Sequence, residues 1–124
     1  MKVKKVLVID DNQDITDAIS FYLSSIGIEC KITNRGRQGL DIIKNNADNA
    51  DIVLLDLAIP EFSGLDLFAS LRNEDLVEKR NVVVFTASNL AETEIQQMLS
   101  DGARAILKKP LSLDELDLML KQFN

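Results

Sequence analysis

What restricts this chain most is a repeat of period rather than of residues. Five times in 124 residues a short β-branched or aliphatic run gives way to a stretch whose apolar residues recur at helical spacing. The runs are Val6-Leu7-Val8-Ile9, Ile52-Val53-Leu54-Leu55, Val82-Val83-Val84-Phe85 and Ala105-Ile106-Leu107, with a weaker, alternating Glu29-Cys30-Lys31-Ile32-Thr33. Near-continuous apolar runs suit strands covered on both faces by helices, and the alternating one suits a sheet edge. Between them, Ile15, Ala18, Ile19, Tyr22, Leu23 and Ile26 form one helical face, with Asp14 as its expected cap and Gly27 as its end. Shorter stripes follow: Leu40, Ile43 and Ala47; then Leu65, Phe68 and Ala69 after Ser63-Gly64. Ala91, Ile95, Met98 and Leu99 make a fourth, ending at Gly102. Leu113, Leu116, Met119, Leu120 and Phe123 make the last, capped by Ser112. The order is βα five times, a doubly wound α/β domain expected to occupy residues 1–124. Strands should end near Asp10, Thr33, Asp56, Thr86 and Lys109, spaced 23, 23, 30 and 23 positions apart. The longer interval holds the polar stretch Asn73 to Asn81.

Composition narrows the chemistry. The chain has no histidine and one cysteine, which removes Ser-His-Asp and Cys-His nucleophiles and the usual zinc sites. Cys30 reads as a small buried hydrophobe and is compatible with a reducing compartment. Twenty acidic against fourteen basic side chains give a net charge of −6, so sequence-independent binding to DNA or to anionic membranes is not expected. No run approaches a membrane span, and the basic start Lys2 to Lys5 precedes too short an apolar run for a signal peptide. The expected location is the cytoplasm.

Open α/β sheets bind ligands outside the carboxyl ends of their strands, where strand order reverses. In a five-stranded parallel sheet of order 2-1-3-4-5 that point lies between strands 1 and 3, so Asp10, Asp11 and Asp56 can converge there. Three carboxylates at one point repel unless a cation joins them, and an all-oxygen set suits Mg²⁺. Lys109 adds a positive charge and Thr86 a hydroxyl. Together these groups could hold a phosphoryl group, with Asp56 placed as its covalent acceptor. Taken singly, an Asp at a strand-to-helix junction is more often a cap or a solvated charge. The coincidence at four strand ends carries the argument.

Along its full length the sequence resembles the receiver domain of two-component response regulators. The acidic pair resembles Asp10-Asp11 in Val8-Ile9-Asp10-Asp11-Asn12, and the acceptor segment resembles Leu55-Asp56-Leu57-Ala58-Ile59-Pro60-Glu61-Phe62-Ser63-Gly64. Thr86-Ala87 and Lys109-Pro110, the latter preceded by Gly102-Ala103, are similar to the family's remaining elements. The resemblance implies a flavodoxin-like (βα)5 fold and a phosphorelay role. Asp56 would take a phosphoryl group from a phosphohistidine on a histidine kinase or histidine-phosphotransfer protein. Asp11, Asp56 and the Ala58 carbonyl would bind Mg²⁺, with Asp10 acting through water. Thr86 and Lys109 would contact phosphoryl oxygens, Ala87 would leave the path open, and the Lys109-Pro110 peptide would be cis.

Two departures from the family pattern stand out. Ile106 occupies a usually aromatic switch position and lacks its hydroxyl, and Ile59 replaces a common Met. Small Ala58 leaves the phosphoryl lifetime open. A downstream protein target is expected on strand 5 and the last helices, near Arg104, Lys108, Leu118 and Lys121. Three further readings stay open: a phosphotransfer intermediate without its own output, the receiver of a longer regulator, and an aspartyl-phosphate phosphatase. Ala58 stands where such a phosphatase needs its second carboxylate. No turnover of small molecules is expected.

Overall fold

The structure, a computed structural model, describes residues 2–47, 49–87 and 89–123; Met1 and Asn124, the ends of the expected domain, lie outside the described residues. Five strands and five helices alternate: β1 (Lys5–Ile9), α1 (Gln13–Ser25), β2 (Glu29–Thr33), α2 (Gly36–Asn45), β3 (Ile52–Leu55), α3 (Gly64–Asn73), β4 (Val82–Thr86), α4 (Glu92–Ser100), β5 (Ala105–Lys108) and α5 (Leu113–Lys121). All pairings are parallel and the sheet order is β2-β1-β3-β4-β5. The alternation of periods pointed to a doubly wound α/β domain, and the observed order is the flavodoxin-like one that the resemblance implied.

The central strands β1, β3 and β4 are almost wholly buried, because apolar side chains leave both faces of the sheet. One layer packs Leu7, Ile9, Leu55 and Val84 against Leu40, Ile43, Leu67, Phe68 and Leu71 of α2 and α3. The other packs Val6, Val8, Leu54 and Phe85 against Ile19 and Leu23 of α1 and Leu116, Met119 and Leu120 of α5. β5 is the second edge strand and is only half-buried, so its short apolar run did not mark a doubly covered strand.

Several local expectations change. α1 is capped by Asn12, whose extended backbone lets its side chain accept from Ile15 N–H at 3.2 Å; Asp14 lies one turn position inside. Gly27, at φ +81°, ends α1: its N–H reaches Ser24 O, and Ile28 N–H reaches Leu23 O. In α3 the buried face is Leu67, Phe68 and Leu71, while Leu65 is half-exposed. Ala47 lies beyond the end of α2. Of the α4 stripe only Met98 is buried, so that helix is the most lightly anchored of the five. Its start is closed by Glu94, which accepts from Ala91 N–H at 3.0 Å.

Candidate functional site

The register of the sheet sets the site. Ile9 pairs with Leu55 across β1 and β3, so the residues that follow, Asp10 and Asp56, leave the sheet side by side. Asp10 N–H donates to Thr33 O, and Asp56 N–H to Ile9 O, which extends the ladder one step past the last paired residues. Thr86 ends β4, and its carbonyl accepts from Lys109 N–H at 3.0 Å, drawing Lys109 in from the edge. The Lys109-Pro110 peptide is cis, as the resemblance implied.

The Lys109 ammonium donates to Asp10 Oδ2 at 2.7 Å and to Asp56 Oδ2 at 3.2 Å, and stands 4.9 Å from the centroid of the Phe85 ring. Asp10 Oδ1 accepts from Asn12 N–H at 2.9 Å, and Asp56 Oδ1 from Ala58 N–H at 3.2 Å. Asp10 and Asp56 are buried while Asp11 is exposed, and oxygens of all three carboxylates lie within 4.8 Å of one another. Thr86 is buried at the same end of the sheet. Ala58 and Ala87 are exposed, Ile106 is half-buried against the core, and Pro110 lies at the surface.

Electrostatics here is unbalanced. Three carboxylates face one ammonium, a residual charge of −2 if all are ionised. Burial raises the Asp56 carboxyl above the ordinary carboxylate range; the Ala58 N–H pulls it back, Asp10 pushes it further up, and Lys109 opposes both. Burial alone would lower the Lys109 pKa. The hydrogen bond and charge of Asp10, then those of Asp56, outweigh that and leave it raised. Oxygen-only donors with this residual charge fit a hard divalent ion such as Mg²⁺, which keeps part of its water shell.

Sequence reasoning missed three supports of the site. Asn12 both caps α1 and braces Asp10, which an Asp-Asp-Asn junction before a helical stripe could have suggested. Phe85 lies against Lys109, and no local pattern foretells that. Gly64 is required because a Cβ there would stand 2.0 Å from the Asp56 carbonyl oxygen and 2.5 Å from Leu57 Cα. The start of α3 therefore rests directly on the backbone of Asp56.

Comparison with known proteins agrees with this fold. The family model of the response regulator receiver domain matches residues 6–121. The chain is 37% identical over 111 residues to the sensor histidine kinase RcsC of Salmonella typhi, covering 90% of this chain and 11% of that protein. It is 26% identical over 120 residues to the transcriptional regulatory protein CrdR of Helicobacter pylori, covering 97% of this chain and 54% of the relative. The solved receiver domain of the Francisella response regulator 1452 is 27% identical with a TM-score of 0.80, covering 98% of this chain and 99% of that one. The chain spans about half the length, or less, of these curated relatives.

Proposed function

The chain belongs to the response regulator receiver domain family of two-component systems, and from that premise we propose that it is a phosphorylation-controlled switch with Asp56 as acceptor. The observation that carries this is the meeting of Asp10, Asp11 and Asp56 within 4.8 Å, with the Lys109 ammonium bridging two of them.

In the proposed step an Asp56 carboxylate oxygen attacks the phosphorus of a phosphohistidine on a partner kinase or phosphotransfer protein. A P–O bond forms as the P–N bond breaks, and the leaving imidazole takes up a proton. Asp10, Asp11, Asp56 and the Ala58 carbonyl would hold Mg²⁺, whose charge would offset that of the phosphoryl oxygens. Lys109 stands beside Asp56 to pair with one phosphoryl oxygen. The Thr86 hydroxyl, buried at the end of β4, would donate to another. Exposed Ala58 and Ala87 leave the approach to Asp56 open to a donor and to water. Hydrolysis returns the carboxylate and releases inorganic phosphate, so the chain is a self-assisting acceptor rather than an enzyme of small-molecule turnover.

Sequences such as RcsC, named as sensor histidine kinases, support a kinase as donor. Arg104, Lys108 and Leu118, all exposed on or beside β5 and α5, are the proposed contacts for a downstream protein. The net charge of −6 speaks against direct nucleic-acid binding. Among the described residues no helix is long and apolar enough to cross a membrane, and a cytoplasmic location belongs to the same proposal.

Incubation with acetyl phosphate and Mg²⁺, followed by intact mass under mild acid, tests the reading. Wild type should gain one phosphoryl group, and Asp56→Asn or removal of Mg²⁺ should abolish the gain. Equal labelling of Asp56→Asn would overturn it.

A further inference from the structure

Residues 56–63, which link β3 to α3, carry both Asp56 and Ala58 and are fastened at two places. One is Gly64, already described, whose N–H also donates to Leu57 O at 3.1 Å. The other is remote from the carboxylates. The Phe62 carbonyl oxygen lies where a Cβ on Gly36 would be, 2.0 Å from that position, so the first turn of α2 touches the link directly. The Phe62 ring is half-buried against the core, and the Arg37 guanidinium stands over it, 4.4 Å from its centroid.

Two features accompany this contact. Glu61, immediately before Phe62, holds φ +66°, a left-handed conformation that a residue with a side chain keeps only where its surroundings impose it. Arg37 also sits in the first turn of α2, where a cation opposes the helix dipole and no acidic residue offsets it. Arg37 therefore gains nothing from the dipole of its own helix, and the ring it faces is that of Phe62.

We propose that Arg37 and Phe62 are positioning residues for the acceptor site, clamping the link so that Ala58 stays against Asp56. This rests on the reading of Asp56 and Ala58 given above. The effect passes through the backbone of Ile59, Pro60 and Glu61, with Gly36 permitting the close approach. A cation over an exposed ring face corresponds to about a two- to fivefold change in an equilibrium.

The Ala58 amide, which donates to Asp56 Oδ1, reports on the clamp directly. Its hydrogen exchange is measured without metal, and Mg²⁺ affinity by calorimetric titration, in wild type, Arg37→Ala, Arg37→Lys and Phe62→Leu. Arg37→Ala should speed Ala58 exchange and weaken Mg²⁺ binding, each about two- to fivefold, while lowering the melting temperature by only a few degrees. Arg37→Lys, which keeps the cation, should recover most of both. Unchanged Ala58 exchange in Arg37→Ala overturns the clamp, as does failure of Arg37→Lys to recover it. If wild type binds no Mg²⁺, the metal reading fails, and exchange at Ala58 alone decides the clamp. If Phe62→Leu does not fold, the two Arg37 variants carry the test.

Discussion

Carboxylates stand at both ends of this sheet, and the two ends treat them differently. At the amino ends of the strands, Asp51 Oδ2 accepts N–H groups of Lys4 and Lys5 at 2.8 and 3.1 Å, and its carbonyl accepts from the Asn81 amide at 2.9 Å. Asn81 in turn accepts from Arg104 Nε at 3.0 Å, and Arg104 also donates to Glu78 O. One carboxylate meets two backbone donors, and the polar groups close into a ladder across the starts of four strands. At the carboxyl ends three carboxylates gather around one ammonium that pairs with only two of them. The first arrangement is complete as it stands, whereas the second holds a repulsion that a cation can relieve. Local rules obeyed at one end and broken at the other mark where function sits.

The contrast can be broken by substitution. Asp51→Ala orphans two backbone donors and should cost about 2 kcal/mol in urea unfolding; a neutral result would remove the structural role given to that end. Mg²⁺ at ten times its dissociation constant should stabilise wild type and Asp51→Ala alike by about 1.4 kcal/mol, and a chelator should reverse this. Asp56→Asn, by contrast, should gain on the order of 1 kcal/mol in chelator because it lowers the repulsion, and should lose most of the response to Mg²⁺. A loss of stability in that variant would mean that the cluster is already balanced. The smallest effect is in pH. Because the Asp56 pKa is raised on folding, the native state binds more protons between the unfolded value and the raised one. Metal-free stability should therefore fall as pH rises through that window. Asp56→Asn should flatten this slope.

The alternation of periods was enough to read the fold, since strands buried on both faces need unbroken apolar runs and surface helices need stripes. It was weakest where burial is partial. The apolar run of β5 suggests a doubly covered strand, yet the strand is only half-buried, and the α4 stripe buries only Met98. Leu65 is in helical phase with Phe68 yet half-exposed, because Gly64 pressing on Asp56 turns Leu67, Phe68 and Leu71 of this short helix inward. The site residues were legible because each ends a strand. Phe85 beside Lys109, and Arg37 over Phe62, were not, since contacts between separate elements leave no local pattern.

Asp10 and Lys109 are separated by 99 positions yet touch. A ribosome delivers the chain from its amino end, so all three carboxylates emerge well before their ammonium does. Until β5 docks on β4, the cluster has neither its counter-charge nor the wall that Thr86 and Lys109 form together. The entropy cost of closing so long a loop is offset only when the last strand pairs. A chain cut before β5 would thus lack both the ammonium and the β4–β5 pairing that complete the proposed acceptor site.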